Sequence, residues 1–209
     1  MPKVGQGQIT SRKVIVVEGP DDDKFFECLL KSLGVADFDI RFVGGKNEFR
    51  NKLPALKRNR GFFDADGSCY VTHFVVIRDR NSDDAFRSIA NTLKKEGFTP
   101  SEKPGQFSDD HPKVGIFIMP GETIEGTMLE DLCLETVNDR PAMKCVDEFS
   151  SCVSALKTKP KNISKAKAQA FLASQPEFAN SVGLGAQKGY WNFKSPCLAE
   201  LKAFLSHLK

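Results

Sequence analysis

An α/β fold on a parallel sheet, extended at its C-terminal end by helices, follows from three observations. Short continuous aliphatic runs recur up to Met119, each followed by a longer amphipathic stretch, the alternation that builds parallel crossover units. Three of those runs end in clusters of acidic residues. After Gly126 the runs stop and only helical patterns follow.

The first strand is placed at about 13–18, on Val14-Ile15-Val16-Val17, and leads through Glu18-Gly19-Pro20 into a helix at about 21–33 ended by Gly34. The second strand, about 39–43, turns at Gly44-Gly45 into a helix at about 46–58. Asn59 to Ser68 carries Gly61, Asp64, Asp66 and Gly67 and reads as a loop. A third strand at about 71–78, on Phe74-Val75-Val76-Ile77, precedes a helix at about 83–96 that stops at Gly97. Pro100, Pro104, Gly105 and Pro112 make 99–112 a long loop before a fourth strand at about 113–119. Helices follow at about 127–136, 141–157, 164–174 and 196–208, the third introduced by Ser164. The organisation predicted is a polar tail over 1–12, an α/β core over 13–135 and a helical extension over 136–209 packed on that core.

A hydrophobic fraction of 40% and a charged fraction of 27% in 209 residues are enough to bury a substantial core. Seventeen Phe against one Trp and two Tyr assign most of the Phe to that core. The net charge of +3 permits a phosphate-bearing partner without demanding one, because the acidic residues cluster as strongly as the basic ones. No apolar run approaches the roughly 20 residues that span a bilayer, and Met1 to Arg12 has no apolar segment of the kind a signal peptide carries. The six cysteines contain no C-x-x-C pair. A disulfide framework or zinc site is therefore not expected, and a reducing cytoplasm is.

In a parallel sheet, side chains just past the carboxyl ends of the strands converge on one crevice. Glu18 ends the first run, with Asp22 four residues on. Asp79 ends the third, with Asn81 offering a neutral oxygen and Asp83 either joining it or capping the next helix. Glu130 and Asp131 follow the fourth. Carboxylates gathered in one crevice repel unless a cation sits among them, and oxygen donors suit Mg2+ or Mn2+.

Plainer readings stand beside this one. Asp21, Asp22 and Asp23 fall in a helix's first turn, where acidic residues cap or favour the dipole, and Thr127-Met128-Leu129-Glu130 matches a capping box. Gly44-Gly45-Lys46 is either a plain turn or a phosphate contact through close backbone approach and the lysine. Gly183-Leu184-Gly185 reads as a loop, His73 as a core residue, and Gly189-Tyr190-Trp191-Asn192-Phe193 as packing for the last helix or a platform for a base. The lysines at 157, 159, 161, 165 and 167 either follow a phosphate backbone or form a solvated face.

Glu18-Gly19 at a strand end, an acidic residue four after the Glu, and Asp79 at the end of the third strand resemble the TOPRIM domain of topoisomerases, primases and OLD-family nucleases. Met128-Leu129-Glu130-Asp131-Leu132, and Gly189 to Phe193 before a final helix, resemble a small stand-alone family close to the OLD nucleases. The resemblance implies a Rossmann-like core with Glu18 and Asp79 as catalytic residues. It also implies Mg2+ or Mn2+ held by Glu18, Asp22, Asp79, Asn81, Asp83 and Glu130. A lysine of the OLD enzymes then corresponds to Lys165 or Lys167. Asn81 departs from the family's D-x-D, which removes one anionic ligand that Asp83 could replace.

The activity implied is metal-dependent phosphodiester hydrolysis on DNA or RNA, with a protein partner possible and no membrane. A metal- and phosphate-binding module without hydrolysis is the alternative that the Asn81 departure favours. A receiver-like phosphoacceptor using Asp79 is a further one.

Overall fold

In a computed structural model, which describes residues 7–45, 48–80 and 84–209, the four aliphatic runs pair as one all-parallel sheet in the order β2-β1-β3-β4. The strands are β1 (Lys13–Val17), β2 (Asp39–Phe42), β3 (His73–Asp79) and β4 (Lys113–Met119). Strand alternation divides their side chains between two cores. Val14, Val16, Phe74, Val76, Val114, Ile116 and Ile118 face α2 (Phe49–Lys57) and α3 (Ala85–Lys95). Ile15, Val17, Val75, Ile77, Phe117 and Met119 face the other way, against α1 (Pro20–Ser32) and the C-terminal helices. Both faces being covered explains why the strands read as continuous apolar runs and not as alternating ones.

The C-terminal helices are α4 (Leu129–Glu135), α5 (Ala142–Ser154), α6 (Ile163–Ala173), α7 (Val182–Gln187) and α8 (Ala199–Ser206). Leu132, Phe171, Trp191, Leu201 and Phe204 share one hydrophobic cluster with Ile15 and Val75. Residues 136–209 thus supply much of the layer over one sheet face. Gly115 on β4 leaves room for this, because a Cβ there would meet the Phe107 ring at 2.7 Å and Phe204 at 2.9 Å, whose rings stack at 4.7 Å.

Several boundaries differ from expectation. The helix predicted over 196–208 is a short 3-10 turn at Pro196–Leu198 followed by α8. The cap of α6 is Asn162, whose side chain accepts from the Lys165 amide at 2.9 Å, and not Ser164. The segment around Gly183 and Gly185, predicted as a loop, is α7, capped by Ser181. Both glycines serve close approach: a Cβ on Gly183 would meet the Asp21 carbonyl oxygen at 2.7 Å, and one on Gly185 would meet Leu172 at 2.6 Å. Trp191 is buried, donates its indole N–H to the Val182 carbonyl at 2.8 Å and stacks on Phe171 at 5.1 Å, so the aromatic cluster packs the core. No described helix is long and apolar enough to cross a membrane.

Candidate metal and catalytic site

From β1 the chain crosses to β2 on one side, and from β3 to β4 on the other, with α1 and α3 on opposite faces. The crevice at the carboxyl ends of β1 and β3 is therefore the topological switch point, where open α/β sheets bind their ligands. A cleft of about 360 Å³ opens there, lined by Glu18, Asp22, Asp79, Glu130, Lys165 and the Gly44-Gly45 turn. Four of the carboxylates predicted as ligands are thus brought together from β1, α1, β3 and α4.

Each is held by a specific donor. The β1–β3 register runs to Val16 opposite Val76. Two residues further on, Glu18 comes level with Arg78, whose Nε donates to Glu18 Oε1 at 3.1 Å. The Asp79 amide donates to the same oxygen at 3.3 Å. Asp22 Oδ2 accepts the Gly19 N–H at 2.7 Å, so this residue both caps α1 and walls the cleft. Asp79 Oδ1 accepts from the Leu129 amide at 3.1 Å, which ties the end of β3 to the start of α4. Glu130 Oε1 lies 3.4 Å from Lys165 Nζ.

The helix start at α4 separates two neighbouring acids. Asp131, and not Glu130, accepts the Thr127 and Met128 amides, at 2.8 and 3.1 Å. The capping role predicted for Glu130 thus lies one residue further on, leaving Glu130 for the cleft. Asp23, predicted to cap or to meet solvent, is only 5% exposed, and burial pushes its carboxyl up.

Crowding changes the acidity of the central pair. Asp22 and Asp79 are half-buried by exposure, with enough protein packed around each carboxyl to make charging costly. Burial first, then the charges of Glu18 and Glu130, push Asp22 up to about 7, against the pull of the Gly19 N–H. Burial first, then Asp22, Glu18 and Glu130, push Asp79 up to about 8, against the pull of the Leu129 N–H. The Lys165 ammonium is held protonated chiefly by the Glu130 charge. Lys167, the other lysine considered, pairs with Asp147 at 2.6 Å instead.

The donor set fits a hard divalent cation: several carboxylate oxygens, two of them on groups whose mutual repulsion a cation would relieve. Among the described residues no group of three His, Cys, Asp or Glu is gathered around one point. The reason is visible in the contacts above, where each carboxylate is turned towards a protein donor. Ligation would draw them from those donors.

The turn after β2 braces Glu18. The amides of Gly44 and Gly45 donate to the Glu18 carbonyl at 2.9 and 3.1 Å, in backbone conformations with φ of +89° and +130° that favour glycine. With those N–H groups engaged, the turn fixes the Glu18 backbone and walls the cleft; it does not present an amide pair to a phosphate. Lys46, Asn81 and Asp83 lie outside the described residues. Arg78 was not foreseen: only the strand register reveals it as the residue opposite Glu18.

The family described as a protein of unknown function (DUF3226) matches residues 12–209, and the chain belongs to that family. Among solved structures it is similar to a hypothetical protein from Pyrococcus horikoshii OT3, with 15% identity and a TM-score of 0.48 over 94% of this chain and 98% of that one. No curated protein matches it.

Proposed function

We propose that this member of the DUF3226 family hydrolyses phosphodiester bonds in DNA or RNA with Mg2+ or Mn2+, in the manner of the TOPRIM-type nucleases it resembles. One observation carries the reading: Glu18, Asp22, Asp79 and Glu130 arrive from four separate elements at the switch-point cleft, where burial and the neighbouring charges raise the proton affinity of Asp22 and Asp79. Those four hold the cation. When bound, it supplies Lewis-acid polarisation of the scissile phosphate.

The chain's own groups do the rest. Lys165 Nζ, kept protonated beside Glu130, donates to a phosphate oxygen entering the cleft. Asp79 accepts a proton from the attacking water. Arg78 and the Asp79 amide hold Glu18 across the seam. A cytoplasmic location goes with the proposal, in keeping with six unpaired cysteines.

A second reading, a metal- and phosphate-binding module without hydrolysis, is favoured by one observation: each cleft carboxylate already has a protein donor. The deciding experiment incubates the protein and Mn2+ with supercoiled plasmid and, in parallel, labelled RNA. Cleavage of either substrate, lost in both Glu18→Gln and Asp79→Asn, supports the nuclease. Cation-dependent binding of both without cleavage supports the module.

A further inference from the structure

We propose that the outer face of the α5–α6 hairpin docks an acidic amphipathic helix of a protein partner. Among the described residues, five large apolar side chains are exposed: Phe63, Phe149, Leu156, Ile163 and Phe178. Four of the five belong to this hairpin or the segment just after it, and Phe178 is 71% exposed. Such concentration on one face marks an interaction site more than scattered surface carbon does.

The shape suits a helix. Cys145, Phe149, Cys152 and Leu156 recur at spacings that place them along one side of α5 and its C-terminal end. Ala166, Ala170 and Ala173 do the same on α6, and Phe178 closes the far end. Between them runs an open groove of about 670 Å³. Bulky walls over a floor of small side chains admit the apolar stripe of a third helix, the groove mode of peptide recognition.

Charge selects the occupant. Lys165 and Lys167 are matched by Glu130 and Asp147. Lys157, Lys159 and Lys161, at the hairpin tip, are exposed and have no ion-pair partner among the described residues. Glu148 is the only other acidic side chain of the hairpin to set against them. A helix with acidic flanks matches this surround, whereas a second copy would bring the same unmatched lysines. The hairpin also carries Lys165 into the cleft, so an occupant would press on the helix that holds that ammonium.

The test uses the full chain and two synthetic peptides of about 18 residues, each with one leucine stripe at helical spacing. One has glutamate on its polar face, the other lysine. The glutamate peptide is expected to bind at least about tenfold more tightly by fluorescence anisotropy in low salt. It should also slow thiol modification at Cys145 and Cys152. Phe178→Ser, at a side chain too exposed to matter for folding, should weaken it, and the triple change Lys157→Glu, Lys159→Glu, Lys161→Glu should abolish the preference. Equal binding of both peptides, or binding of neither, overturns the proposal. So does a dimer in sedimentation that Phe178→Ser dissolves, since the face then belongs to a second copy. None of these readouts depends on nuclease activity.

Discussion

Arg78 and Glu18 face one another across the β1–β3 seam, Nε to Oε1 at 3.1 Å, with side chains only 13% and 16% exposed. The pair sits where the sheet reverses its winding. A charge buried to that extent is destabilising without its partner. Arg78→Met is expected to cost about 3 kcal/mol in urea unfolding of the metal-free protein. Adding Glu18→Gln to it should recover much of the loss, because no unpaired charge then remains. Additive losses in the double-mutant cycle would show that the two side chains are not coupled.

Asp22 and Asp79 give stability a pH dependence of definite sign. Their carboxyls are pushed up to about 7 and about 8 in the folded chain, against about 3.9 when unfolded. The folded state therefore holds more protons between those values, and stability falls as pH rises. The stability these two carboxyls contribute to the metal-free protein is fully present below the unfolded value and is lost as pH rises to about 8. Melting temperatures from pH 4 to 9 check this. Asp79→Asn should flatten the profile, and Mn2+ should stabilise the wild type more at the alkaline end, where it no longer competes with protons.

Glu130 and Asp131 are adjacent yet predicted to fail differently. Asp131→Ala removes the acceptor for the Thr127 and Met128 amides and should cost about 1 kcal/mol, as lost helix caps do. Glu130→Gln should leave the melting temperature within a degree or so and remove most cleavage, since its carboxylate faces the cleft and Lys165. Thermal unfolding and the nicking assay, run on both variants, separate the two roles.

Gly183 lets α7 lie against the first turn of α1, the turn that presents Asp22. Gly183→Val would drive a side chain into the Asp21 carbonyl and Lys24. A loss of about 1–3 kcal/mol is expected from such overpacking. Mn2+ affinity should fall with it, measured by calorimetry, because the strain lands on Asp22. An unchanged affinity would mean that α1 yields without moving its carboxylate.

The parallel sheet, its strand positions and the glycine that ends α1 were legible because continuous aliphatic runs and a terminal glycine are local signals. The meeting of Glu18, Asp22, Asp79 and Glu130 was legible by topology alone, since parallel strands aim their ends together. What the chain kept hidden depends on contacts distant in sequence. Arg78 becomes a partner of Glu18 only through the β1–β3 register. Gly183 and Gly185 look like loop residues until the neighbours they must clear are known. The choice between Lys165 and Lys167 rests on which side of α6 meets Glu130, and that is set by how the hairpin docks.

Phe204 completes the stack over Gly115, and Trp191 anchors α7 beside α1. During synthesis the sheet face that these residues seal is made long before its cover. A ribosome that has released β4 and α4 holds a half-dressed sheet with apolar strands still wet, and the cleft lacks Lys165 until α6 emerges. Folding of that face must therefore wait until Trp191 to Phe204 have emerged. The nascent protein consequently carries its acidic cluster without the lysine that tempers it, a window in which a stop before α6 yields sticky chains instead of a smaller folded protein.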